Sequence, residues 1–263
     1  MRSAVVSFLF GLAVLLSAVP ARAESSIISF PVTGADGSTV TLDAKLNIPD
    51  GDGPFPAVVM LHGCNGTDLS WEWEEGFLEQ WGYVSLRIDS LGPRGIETVC
   101  GSADAAVTSD VRVMDALAGH AFLSTQHFVD AAHIGVVGWS DGGTTALKSI
   151  AGDLIDQVAP SDTFEVAVAF YPRCQSHAPE LDAPLLILVG SEDTATAPVL
   201  CEAMKQEIRA DHGFDLIVFP GATHAFDWEG APSTYQGHQI RYDPDVTAIA
   251  YMRMRAFLSQ HLQ

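Results

Sequence analysis

The chain has 263 residues, with 33 acidic against 13 basic side chains, a formal charge of −20 and 48% hydrophobic residues. That excess of negative charge repels phosphate backbones and anionic membrane surfaces in bulk, which argues against nucleic acid as a partner. No repeat, low-complexity tract or Ser/Pro linker divides the chain, and its length suits one large domain with a buried core.

The first 23 residues read as a separate object. Arg2 precedes an apolar stretch from Ala4 to Leu16, followed by Pro20 and the tripeptide Ala21-Arg22-Ala23, the pattern of a secretory signal with an A-x-A cleavage site. The apolar run is shorter than the ~20 residues that span a bilayer, so no stable membrane anchor is expected after processing. Cleavage would leave a domain over residues 24–263, or 240 residues beginning at Glu24, and loss of Arg2 and Arg22 would take the formal charge from −20 to −22. The expected location is periplasmic or extracellular.

Ile27 to Val32 and Thr39 to Ile48 have strand character around the turn-forming Gly34-Ala35-Asp36-Gly37-Ser38, which predicts an antiparallel hairpin. After Pro54 the pattern changes. Ala57 to Leu61 is continuously apolar, as in a strand covered on both faces, and similar runs recur at Tyr83 to Ile88, His133 to Val137, Glu165 to Phe170, Leu185 to Val189 and Asp215 to Phe219. Between them, helices are predicted over Leu69 to Gln80, Asp104 to Leu123, Gly142 to Ile150, Ala197 to Asp211 and Asp245 to Leu262. The alternation predicts an α/β fold with a mostly parallel central sheet and helices on both faces, where sites collect at the carboxyl ends of the strands.

Gly138-Trp139-Ser140-Asp141-Gly142-Gly143 stands between the run Ile134 to Val137 and the helix beginning at Gly142. A G-x-S-x-G turn between strand and helix is a nucleophile elbow, in which side chains two residues either side of the serine would collide with the neighbouring strand or helix. Ser140 is therefore the candidate nucleophile. A serine hydroxyl needs a base, usually an imidazole held by a carboxylate. His224, in Gly221-Ala222-Thr223-His224, follows the last strand, and Asp193, in Gly190-Ser191-Glu192-Asp193, follows another, with Glu192 as the rival acid. The order Ser140, Asp193, His224 is that of α/β-hydrolase triads. The oxyanion donors would be the N–H groups of Asp141 and of Cys64 in Leu61-His62-Gly63-Cys64, with His62 more in keeping with a structural than a catalytic role. If the imidazole must start neutral, activity should rise through pH ~6.5.

All four cysteines, Cys64, Cys100, Cys174 and Cys201, lie beyond the signal, and an even count in an exported chain suggests disulfides. Cys64 and Cys174 each follow a predicted strand, and Cys100 and Cys201 lie one loop or helix downstream. Of the three possible connectivities, Cys64 with Cys100 and Cys174 with Cys201 is the expected one. No Cys/His spacing resembles a zinc site.

These segments resemble the dienelactone hydrolase family, in particular its secreted, serine-containing members. The resemblance rests on Leu61 to Cys64, Asp89-Ser90-Leu91-Gly92-Pro93-Arg94-Gly95, the elbow, Tyr171-Pro172, Gly190 to Asp193 and Gly221 to Phe226, and it covers nearly the whole of residues 24–263. It implies a minimal sheet with no large cap domain. No metal or organic cofactor is expected for the reaction. The enzymes that name the family use a cysteine nucleophile where this chain has Ser140, and an acidic residue where it has Leu61-His62, so their lactone substrate does not carry over directly. The resemblance gives Arg94 as a cation for a substrate carboxylate, against which stands a bracing role for the same arginine; Arg173 is a second candidate. Trp139 is a candidate substrate contact, while Trp71, Trp73, Phe226 and Trp228 are read mainly as packing. The segment from Asp227 to Pro244 shows no periodicity and could wall the pocket.

The resulting expectation is an exported serine hydrolase acting on a small-molecule carboxylic ester or lactone. A cutinase-like polyesterase and, outside enzymes, an exported binding protein on an inactive hydrolase fold are the alternatives. Oligomeric state is not legible.

Overall fold

The computed structural model describes residues 24–34, 37–67, 69, 75–101, 107–152, 163–175, 180–208 and 213–263. The expected signal segment, Trp71, Trp73, the tip of the first turn and the ends of several predicted helices lie outside these residues.

The hairpin is β1 (Glu24–Thr33) and β2 (Thr39–Ile48), paired antiparallel from Glu24 opposite Ile48 to Thr33 opposite Thr39. β1 alternates exposed and buried residues, as an edge strand with one wet face must. The continuously apolar segments form β3 (Phe55–Leu61), β4 (Val84–Asp89), β5 (Val129–Trp139), β6 (Ala167–Phe170), β7 (Leu185–Gly190) and β8 (Phe214–Phe219). Every residue of β6 and β7 is buried, so both faces of the sheet are covered there. The strand order is β1-β2-β4-β3-β5-β6-β7-β8, parallel throughout except for β1 and β2.

The described helices are α1 (Glu75–Gln80), α2 (Ser109–Ser124), α3 (Asp141–Lys148), α4 (Pro198–Glu207) and α5 (Pro244–His261). α2 begins five residues after the expected Asp104. Thr108 has extended backbone, and its side chain accepts from the Val111 N–H at 3.4 Å, capping the helix at that point. Asp243 caps α5 in the same way, accepting from the Val246 N–H at 3.0 Å with Pro244 in the first turn. No inserted cap domain occurs among the described residues. No helix among them is long and apolar enough to cross a membrane.

The core strands β3, β5, β7 and β8 all deliver their carboxyl ends to one rim of the sheet, because they are parallel. That rim holds the site.

Candidate active site

β5 ends at Trp139 and α3 starts at Asp141, leaving Ser140 alone in the turn with φ 55° and ψ −114°. A non-glycine residue with that backbone is strained and persists only where its surroundings enforce it. The glycines explain the enforcement. A Cβ on Gly138 would stand 2.1 Å from Gly142 O, and one on Gly142 would stand 2.1 Å from Leu61 O, so only glycine lets β5, α3 and β3 approach this closely.

The three sequence-predicted residues come together. Ser140 Oγ lies 2.9 Å from His224 Nε2, and His224 Nδ1 lies 2.7 Å from Asp193 Oδ2. A proton on Nδ1 donates to Asp193, which leaves the Nε2 lone pair facing the serine hydroxyl. Asp193 is 4% exposed and fully supplied with donors. Its Oδ1 accepts the N–H groups of Ala195 and Thr196, both at 2.8 Å, and its Oδ2 accepts the Thr196 hydroxyl at 2.8 Å as well as the imidazole. Burial pushes this carboxyl up, but His224 and the Thr196 donors outweigh it and hold the group below the usual carboxylate range. The rival Glu192 is half exposed and lies 3.8 Å from Arg241.

His62 is buried and is held by its own loop, by the loop after β4 and by Arg112 of α2. Its Nδ1 lies 2.6 Å from Gly63 O, and its Nε2 accepts the Ser90 N–H at 3.2 Å. Burial and the Arg112 charge hold its pKa well below the ordinary histidine value. Because Nε2 accepts the Ser90 N–H, a neutral ring carries its proton on Nδ1, facing Gly63 O. Asp141 N–H lies in the first turn of α3, where no intrahelical acceptor exists. Cys64 N–H donates to no protein acceptor among the described residues.

Arg94 does not reach the pocket. Its guanidinium forms a two-pronged pair with Asp115 at 2.7 and 2.8 Å and donates to Ser90 O at 2.6 Å, so its donors are spent on bracing the loop after β4. The substrate-binding expectation for Arg94 is corrected accordingly. Arg173 is exposed and lines the pocket. Trp139 also lines it but is 7% exposed, stacks on Phe170 with ring centroids 5.3 Å apart, and donates Nε1–H to Asp227 at 3.0 Å. Phe226 is wholly buried.

The pocket above Ser140 has a volume of 790 Å³. Its far wall is the segment after His224. There β9 (Thr234–Tyr235) pairs with β10 (His238–Gln239), and Trp228, Tyr235, Gln236 and His238 face the cavity. The Tyr235 hydroxyl donates to Cys100 Sγ at 3.5 Å, tying this wall to the opposite one. Cys64 is disulfide-bonded to Cys100 and Cys174 to Cys201, the pairing expected above.

Sequence reasoning missed Arg112, Thr196 and Asp227. Asp227 is fully buried and accepts from Tyr171 OH at 2.7 Å and Trp139 Nε1. Burial raises its pKa against those donors. Arg112 and Asp115 do leave a trace in the sequence, as two charges among the apolar positions of one predicted helix.

A parallel sheet in this order, with a serine elbow after β5 and an acid and a histidine after β7 and β8, defines an α/β-hydrolase fold. The sequence pattern of the dienelactone hydrolase family matches residues 42–262, and the chain belongs to that family of carboxylic ester hydrolases. A Yersinia pestis protein provisionally named a carboxymethylenebutenolidase is 23% identical over 228 residues, 80% of this chain and 79% of its own. Among solved structures, a dienelactone hydrolase-like promiscuous phosphotriesterase from metagenomic libraries superposes with a TM-score of 0.68 at 21% identity, covering 91% of this chain and 99% of that one. A Pyrococcus furiosus esterase superposes with a TM-score of 0.60 at 18% identity, covering 90% and 94%. At these identities the structural likeness is one of fold.

Proposed function

We propose that the protein is an exported serine hydrolase that cleaves a carboxylic ester or lactone through Ser140, His224 and Asp193. The observation that carries this is the unbroken relay from Ser140 Oγ to His224 at 2.9 Å and from His224 to Asp193 at 2.7 Å, at the floor of an open pocket. Nε2 takes the serine proton as Oγ attacks the carbonyl carbon, and the imidazolium is stabilised by the ionised Asp193. The Asp141 and Cys64 N–H groups receive the oxyanion of the tetrahedral intermediate. Collapse expels the alcohol, which takes the proton from His224, and leaves an acyl-serine. Water, activated by the same imidazole, then releases the acid and restores the serine. In a lactone the leaving alcohol stays tethered to the acyl group, so one ring opens and a single hydroxy acid is released.

Export is supported by the signal pattern of residues 1–23 and by the two disulfides. The protein recovered from an exporting host should have an intact mass starting at Glu24; retention of the first 23 residues would refute processing.

The decisive experiment for the chemistry is fluorophosphonate labelling with location of the adduct by mass spectrometry, beside turnover of p-nitrophenyl esters. The expected adduct is on Ser140, and Ser140→Ala should lose both label and turnover. A folded wild-type protein that takes no label and turns over no ester would refute the proposal.

A further inference from the structure

Arg112 is the largest fully buried side chain among the described residues, and it reaches the site from α2. Burial of a guanidinium costs desolvation energy that one carboxylate partner seldom returns, and an apolar side chain of similar volume commonly serves stability as well. Its Nε finds no partner among the described residues. What an apolar residue cannot supply is the fork.

One prong, Nη1, donates to Asp141 Oδ2 at 2.6 Å, and the other, Nη2, donates to His62 O at 2.5 Å. Those two acceptors stand on the two loops that carry the oxyanion donors. Asp141 supplies one N–H itself. The second belongs to the Gly63–Cys64 peptide, and a planar trans peptide holds its C=O and N–H antiparallel, so whatever grips Gly63 O aims Cys64 N–H. His62 Nδ1–H grips it at 2.6 Å, and the ring is pinned from behind by the Ser90 N–H at 3.2 Å. The neighbouring carboxylate on α2, Asp115, is occupied by Arg94 and does not compete for the fork.

We propose that Arg112 is a positioning residue: by holding the Asp141 carboxylate and the His62 carbonyl at once, it sets the spacing and direction of the two backbone N–H groups that receive the oxyanion. The inference rests on the reading of this rim as a hydrolase site. It assigns to a helix outside the active-site rim the task of joining two strand-end loops that no covalent bond connects directly. The disulfide from Cys64 runs to Cys100 and so leaves the elbow free of it.

The test compares Arg112→Lys and Asp141→Ala with wild type. Lysine keeps the charge, but its three donors radiate from one nitrogen and cannot span two acceptors that the guanidinium reaches from two separate nitrogens. Alanine removes the acceptor and so releases the same grip from the other side. The expected result for each is a kcat lower by ~10²-fold with KM within about twofold, as for loss of an oxyanion donor. The Ki of a trifluoromethyl ketone, whose serine adduct presents an oxyanion, should rise by the same factor. The double variant should be little worse than either single one, because both break one link. Unchanged kcat and Ki in folded variants would overturn the proposal, as would a change confined to KM. If Arg112→Lys does not fold, Asp141→Ala decides by the same criteria. A wild type that neither turns over esters nor binds the ketone would remove the hydrolase reading itself, whereas an active wild type with indifferent variants removes the role of Arg112 alone.

Discussion

Glu192 and Asp193 are adjacent in the chain and opposite in circumstance. Asp193 faces inward, accepts four donors and sits 2.7 Å from His224, while Glu192 faces solvent near Arg241. The backbone decides this: the Glu192 N–H donates to Ala222 O at 2.9 Å, which docks the turn after β7 against the turn after β8 and points the next side chain at the imidazole. Asp193→Asn should fold normally and lose kcat by ~10³–10⁴-fold, because an amide neither fixes the Nδ1–H tautomer nor stabilises the imidazolium. Glu192→Gln should stay within about twofold of wild type. Steady-state turnover of one p-nitrophenyl ester checks both, and a larger loss from Glu192→Gln than from Asp193→Asn would reverse the assignment of the acid.

At the scale of elements, the elbow is a packing device as well as the proposed seat of the nucleophile. β3, β5 and α3 meet at distances that admit no side chain at Gly138 or Gly142. Gly142→Ala would place a methyl 2.1 Å from the Leu61 carbonyl oxygen, on the strand that leads into the Cys64 loop, so α3 would have to shift away from that loop. The expected outcome is loss of about 3 kcal/mol in urea unfolding together with loss of turnover. Gly82→Ala is the control, since Gly82 has φ 86° and open space around its Cα, and the strain of a left-handed alanine costs about 1 kcal/mol without touching activity. G-x-S-x-G and its flanking periodicities were legible in the sequence because steric exclusion at short range writes itself into glycine spacing. The start of α2 was not, since the helical pattern runs past Thr108 and only the cap shows where the helix begins.

For the whole molecule, the two disulfides do different work. Cys64–Cys100 ties the loop after β3 to the loop that carries Gly101, and both cysteines line the pocket. Cys174–Cys201 joins the loop after β6 to α4, beneath the surface. The chain-entropy argument gives each about 3–4 kcal/mol of stability for closed segments of 36 and 27 residues. The double substitution Cys64→Ser/Cys100→Ser should therefore lower both the unfolding free energy and kcat, whereas Cys174→Ser/Cys201→Ser should lower stability by a similar amount and leave kcat of the folded fraction close to wild type. Denaturant titration beside turnover separates the two, and equal effects on kcat would show that neither bridge supports the site specifically.

Periodicity, glycine placement and the order of strand ends determined by themselves that this chain forms a parallel α/β sheet with Ser140, Asp193 and His224 at one rim, because each of those signals is local or repeats along the chain. Tertiary structure alone decided the rest. Whether Arg94 meets substrate or braces a loop depends on Asp115, whose approach is set by how α2 packs. Arg112 joins residues 50 and 29 positions away. Asp227 meets Trp139 across 88. Hydrogen bonds between distant residues leave no periodic trace in a sequence, since their geometry exists only after the sheet has brought its loops together.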